Sequence, residues 1–134
     1  MSGRLELMSA NLVKGEGLQV QLEKVLMSYS DEVAEDIAEE IQSVGKEALK
    51  IVKEKSPKNT GTYRKGWRLK VNKGRIGTQI IIYNANKPQL THLLENGHAK
   101  ADGNDTVDGI PHIYPANEWA EKEIMQRIER RLNE

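Results

Sequence analysis

The chain has 134 residues, 37% hydrophobic and 30% charged, and its 20 basic and 20 acidic residues cancel to zero net charge. It contains no Cys, which excludes disulfides, thiol catalysis and thiolate zinc sites together, and no Phe, so Leu, Ile, Val and the few Trp and Tyr must fill the core. The length suits one domain whose core needs no covalent staple; no secretory signal is expected at the N-terminus, and no apolar run is long enough to span a bilayer.

The neutral total hides opposed blocks. Residues 1–45 carry 3 basic and 9 acidic groups, a net of −6. Residues 46–75 carry 11 and 2, a net of +9, and residues 76–134 carry 6 and 9, a net of −3. Segregation of this kind suits a surface that meets its own copies or a charged partner.

In chain order, residues 1–17 read as a flexible N-terminal arm, with Gly15 and Gly17 breaking any helix begun earlier. Residues 18–134 read as a single α+β domain. Leu18, Leu22, Val25 and Leu26 recur at helical spacing and predict a first helix, after which Ser28, Ser30 and Asp31 offer caps. Val33, Ile37, Ile41, Val44, Ala48 and Val52 then form one stripe of a long helix over about residues 31–54. Acids from Asp31 to Glu40 crowd its first half and Lys46, Lys50, Lys53 and Lys55 its second, a polarity that complements the helix dipole. Pro57 ends it.

Asn59-Thr60-Gly61-Thr62 predicts a turn. Trp67, Leu69 and Val71 alternate with Arg68, Lys70 and Asn72, which predicts a strand with one wet face. After Lys73-Gly74-Arg75, the run Ile76 to Tyr83 predicts a more central partner strand in an antiparallel hairpin. Pro88, Leu90, Leu93 and Leu94 suit a short helix closed by Gly97. About 15 residues without apolar periodicity follow, a length that in compact domains marks function or disorder. Trp119, Ala120, Ile124, Ile128 and Leu132 stripe a last helix with Pro115 near its start. The long helix is expected to pack across the small antiparallel sheet.

All three histidines, His92, His98 and His112, lie in the stretch 91–112, with Glu95, Asp102, Asp105 and Asp108. A zinc site of the His-Glu-x-x-His type is excluded by spacing, since Gly97 ends the helix before His98. Asp102-Gly103-Asn104-Asp105 does not follow the alternate-ligand pattern of a calcium loop. No serine sits in a nucleophile elbow and no phosphate-binding glycine loop exists, so no catalytic residue, metal or cofactor is assigned. His98, Lys100, Asp102, Asp105, Asp108 and His112 are instead read as a loop that contacts a partner, its centre from Lys100 to Asp108 mobile until docked and its ends pinned by His98 and His112.

A basic block over residues 53–75 comprises Lys58, Arg64, Lys65, Arg68, Lys70, Lys73 and Arg75 with Lys53 and Lys55, interleaved with Tyr63 and Trp67. Three readings stay open. It could meet the acidic half of the long helix in a neighbouring copy, form the wet face of a strand, or neutralise DNA phosphates without sequence preference.

The run Ser56-Pro57-Lys58-Asn59-Thr60-Gly61-Thr62-Tyr63-Arg64-Lys65-Gly66-Trp67, with its turn residues Pro57, Thr60 and Gly61, is followed by Leu93-Leu94-Glu95-Asn96-Gly97-His98-Ala99 and by Pro111-His112-Ile113-Tyr114-Pro115-Ala116. In that order and spacing they resemble the tail-completion, or head–tail joining, family of long-tailed phages and prophages, over roughly residues 18–132. His98 stands where many members have Thr, which marks a subgroup. The resemblance implies a non-enzymatic virion assembly protein made in the host cytoplasm. Such a protein forms a homo-oligomeric ring, usually of six copies, around the DNA path at the head–tail interface. Implied partners are the head connector or stopper, the tail terminator or tail-tube proteins, and transiting DNA, with no membrane.

Overall fold

The computed structural model describes residues 11–13, 17–23, 31–58, 61–74, 77–100, 103 and 105–133, of which 11–13, 17–23, 31, 74 and 77 are described by their backbone alone. The fold is α+β. A four-stranded antiparallel sheet has the order β1 (Asn11–Val13), β2 (Gly17–Glu23), β4 (Gly77–Asn84), β3 (Trp67–Gly74). On one face lie α1 (Asp31–Lys55) and α4 (Ile113–Leu132). The short α2 (Gly61–Lys65) connects α1 to β3, and a 3-10 turn (Pro88–Leu90) leads into α3 (Thr91–Asn96). A ribbon of β5 (Gly97–Ala99) and β6 (Thr106–Asp108) leads into α4.

The long helix forms as its stripe dictates. Ile37, Ile41, Val44, Ala48 and Val52 are buried, with Val33 packed against them. They meet Ile80 and Ile82 of β4 and Ile113, Ala116, Ala120, Ile124 and Ile128 of α4 in one core. At Gly45, α1 comes close to the sheet: a Cβ there would sit 2.7 Å from Ile80 Cγ2. Any larger residue would force Ile80 or its surroundings to shift in an interior packed like a crystal. The helices run antiparallel, since Arg127 pairs with Glu47 at 2.7 Å while Arg131, one turn later, reaches back to Glu40 at 3.1 Å. Arg127 also bonds Glu123 at 2.9 Å.

The hairpin is present as expected. β4 lies between β2 and β3, which explains its apolar run, while Arg68, Lys70 and Asn72 stand on the outer face of edge strand β3. The helix expected from Leu18 is instead strand β2, pairing Val20 with Ile82 and Leu22 with Ile80. Leu18-Gln19-Val20-Gln21-Leu22-Glu23 alternates at period two, and pairing against β4 selects that period over the helical one. Asn11–Val13, inside the expected arm, pairs with β2; the rest of that arm before Gly17, Val25, Leu26 and the expected caps Ser28 and Ser30 lie outside the described residues. The expected turn at Asn59–Thr62 yields to α2 from Gly61 onward, and the stretch expected as an irregular loop contains the β5–β6 ribbon. Three-residue strands are too short to print a periodicity. At the last helix, Leu132 ends the expected stripe 40% exposed, and the helix begins two residues before Pro115.

Candidate assembly site

Buried polar residues converge at the base of the ribbon. Three segments distant in sequence meet there: the end of α1 with α2, the end of α3, and the start of α4.

Helix α4 starts without a capping side chain of its own, since His112 at its N-cap makes no such bond. Glu95, at the end of α3 and buried, supplies the cap from another element. Its Oε1 accepts the backbone N–H groups of His112 and Ile113, each at 2.8 Å, and Oε2 accepts that of Tyr114 at 2.9 Å. These are donors that the first turn of a helix leaves without intrahelical partners, and the dipole adds a favourable field for the carboxylate. Burial pushes the Glu95 pKa up, but the hydrogen bonds from the His112 ring and from the backbone of Ile113, His112 and Tyr114 outweigh it and hold the group at about 2.

His112 is fully buried. Its Nδ1 lies 2.6 Å from Ile110 O and 3.0 Å from Glu95 Oε1, and its Nε2 lies 2.6 Å from Tyr63 Oη. A carbonyl oxygen can only accept, so Nδ1 carries a proton; in the neutral ring Nε2 then accepts from the Tyr63 hydroxyl. Burial first, and the Glu95 charge second, push the Tyr63 pKa up, which keeps its proton in place as donor. Tyr63, Trp67 and His112 meet edge to face, with ring centroids 5.6–5.8 Å apart. The Trp67 Nε1–H donates to Ser56 Oγ at 2.8 Å, and that hydroxyl donates to Val52 O at 2.6 Å. Bonds and ring contacts thus run without a break from the end of α1 to the start of α4.

Two glycines let the ribbon leave this frame. Gly97 has φ +81°, and a Cβ on it would fall against Val107 O; a Cβ on Gly109 would fall against Glu95 O. Ile110 N–H donates to Leu94 O at 2.8 Å, closing the base. Around it Leu93, Val107, Ile110 and Tyr114 are 39–65% exposed.

Of the described residues assigned to the loop, only His112 enters the buried frame. His98 is exposed opposite Val107, and Asp108 is exposed opposite Gly97. Lys100 and Asp105 close the ribbon on each other through Lys100 N–H to Asp105 O at 2.9 Å and Nζ to Oδ2 at 3.3 Å. Asp102 lies outside the described residues. His92, exposed, bonds Asn96, and among the described residues no three His, Asp or Glu side chains stand together as metal ligands.

In the basic block, Lys58 and Lys73 are exposed, as are Arg68 and Lys70 along β3. Arg64 Nε–H donates to Lys53 O at 2.7 Å, and Arg68 Nη1 donates to Lys65 O and Trp67 O at 2.6 and 3.0 Å. Arg75 and Thr60 lie outside the described residues; Pro57 follows α1, half-buried, and Gly61 opens α2. Sequence reasoning missed Glu95 as a cap and Tyr63 as the partner of His112. One signal pointed to the first: positions 111–113, Pro-His-Ile, contain no Ser, Thr, Asp or Asn to start a helix of 20 residues, so the cap had to come from elsewhere.

These side chains lock one α+β frame beneath an exposed ribbon. The chain belongs to the family described as "Bacteriophage HK97-gp10, putative tail-component", whose model matches residues 21–97, from within β2 to the glycine that opens the ribbon. That places it among phage tail components. No curated protein and no solved structure matches the chain. Among the described residues no helix is long and apolar enough to cross a membrane.

Proposed function

We propose that this tail component is a structural adaptor joining the tail to the filled head, acting as a homo-oligomeric ring, of six copies by the family resemblance, around the path of the DNA. The observation that carries the reading is the convergence of the resembling motifs. Ser56, Tyr63 and Trp67 come from the first, Glu95 from the second, and His112 from the third, and they form one buried frame. That frame holds the ribbon and its apolar surround in a defined attitude, as a docking element requires. A ring needs two different complementary surfaces per subunit, and the segregated charge blocks supply candidates. The ribbon, with His98, Lys100, Asp102, Asp105 and Asp108, would meet a head connector or stopper on one side or a tail terminator or tail-tube protein on the other. Assembly takes place in the host cytoplasm and the finished site is the head–tail interface of the virion.

The test is a deletion with a particle inventory. Without the gene, filled heads and free tails should accumulate unjoined, and complementation should restore joined particles containing the chain. Joined, infectious particles from the deletion, or a particle mass spectrum lacking the chain, would reject the reading.

A second reading, a small DNA-binding protein using the block 53–75, is favoured by the position of Arg68, Lys70 and Lys73 along one edge of the sheet. It requires duplex affinity that falls steeply with salt and disappears on charge reversal at Arg68, Lys70 and Lys73. Arg64 and Arg68 already donate to backbone carbonyls, which weakens it relative to the first.

A further inference from the structure

Helix α1 has three faces with different occupants. One is the core stripe. A second meets α4, where Asp36, Glu40 and Glu47 pair with Arg127 and Arg131. The third points away from the core and carries Glu32, Glu35, Glu39, Lys46, Lys50 and Lys53, of which the first five are exposed and Lys53 is half-buried. At 3.6 residues per turn these six fall on one stripe about 60° wide. Among the described residues none of the six side chains is in an ion pair.

The order of charge along that stripe is not what helix stability alone selects. The dipole favours acids in the first turn and bases in the last, which accounts for Glu32, Glu35 and Lys53. Its influence fades within a turn, so Glu39 and Lys46 gain nothing from it. A self-sufficient exposed face would alternate Glu and Lys at a spacing of four. Here Glu35 and Glu39, and Lys46 and Lys50, put like charges at that spacing, which costs the isolated helix a little. The cost is reversed if a second helix lies antiparallel. The pattern is symmetric about the Gln42–Ser43 peptide bond: reversed onto itself, it sets Glu32 against Lys53, Glu35 against Lys50 and Glu39 against Lys46, and each of these again by symmetry.

We propose that the outer stripe of α1 is a two-fold contact with a second copy of this chain, two α1 helices lying antiparallel and crossing at Gln42–Ser43. An isologous contact closes at two copies, so it neither forms nor needs the proposed ring, and it stands or falls separately from the head–tail reading. Being built of exposed ion pairs it is salt-sensitive.

The experiment is sedimentation velocity on the full chain over a concentration series. Native protein is expected to dimerise at an ionic strength of about 0.01 M and to dissociate at about 1 M, as the Debye length falls from about 30 Å to about 3 Å. E39K and K46E lie mid-helix and exposed, so unchanged circular dichroism and unfolding midpoints will show that both fold. Each turns two attractive pairs repulsive and should weaken dimerisation about tenfold. An equimolar mixture should restore it as a heterodimer, because the E39K stripe then faces the K46E stripe. Native protein that stays monomeric at low salt and high concentration overturns the proposal, as does dimerisation indifferent to both variants. Loss in E39K with K46E silent and no rescue on mixing also overturns it, and assigns the acids to Arg68 and Lys70 of β3 instead.

Discussion

Two polar regions tie α4 into this molecule, and they do it by different physics. At its N-terminus the Glu95 carboxylate, buried to 6% exposure, accepts three backbone N–H groups and touches the His112 ring. Near its C-terminus Arg127 and Arg131, with side chains 19% and 33% exposed, reach carboxylates of α1, and Arg127 also one of its own helix. The first is sheltered from water, so an unpartnered group there costs its full desolvation. The second is screened by solvent and salt, so each pair adds little. Counting polar contacts would rank this ladder of arginine–carboxylate pairs with the cap; burial ranks the cap far above it.

The largest effect expected is from Glu95→Ala, which strands three N–H donors and the His112 ring in a buried site and should cost about 3 kcal/mol in denaturant unfolding. A loss below about 1 kcal/mol would put the cap on a level with the ladder and break the comparison. Nearly as large is the acid response. Glu95 is held at about 2 against an ordinary 4.5, so its contribution is full above the unfolded value and is lost as pH falls from about 5 through 2. Each tenfold difference in proton affinity between the folded and unfolded chain is worth about 1.4 kcal/mol, which brings the whole response to about 3 kcal/mol. In Glu95→Gln the stability–pH curve should flatten across that window.

Tyr63→Phe removes the hydroxyl that reaches His112 Nε2 and should cost about 1–2 kcal/mol, with the edge-to-face ring packing kept. Smallest is Arg131→Met, about 0.5 kcal/mol at low salt and less in high salt, where the cap's contribution should stand. Salt titration of Glu95→Ala and Arg131→Met side by side sharpens the distinction between a sheltered and a screened contact.

Periodic elements were legible because a single face decided them. The α1 stripe, the Trp67–Val71 alternation and the Ile80–Ile82 run each state a period and a degree of burial, and α1, β3 and β4 formed there. Leu18–Glu23 carried two periods at once, and no local signal could choose between them. The ribbon was illegible for another reason. Its register comes from two glycines that let β5 and β6 cross the end of α3, and closeness of backbones leaves no pattern in side-chain polarity. The histidines suggested metal chemistry by residue type alone; burial of His112 between Tyr63 and Glu95 gives that ring a structural partner on each nitrogen.

Composition and periodicity by themselves determined the class of fold, the central helix, the hairpin and the segregation of charge, because each is a property of residues near one another in the chain. The ordered motifs also carried the family. Only the tertiary structure decided that β2 is a strand, that α4 is capped by a carboxylate 17–19 residues upstream, and that the motifs meet in one buried frame. Those are long-range pairings, whose energy comes from removing specific polar groups from water together, and a linear sequence does not display which groups will share that exclusion.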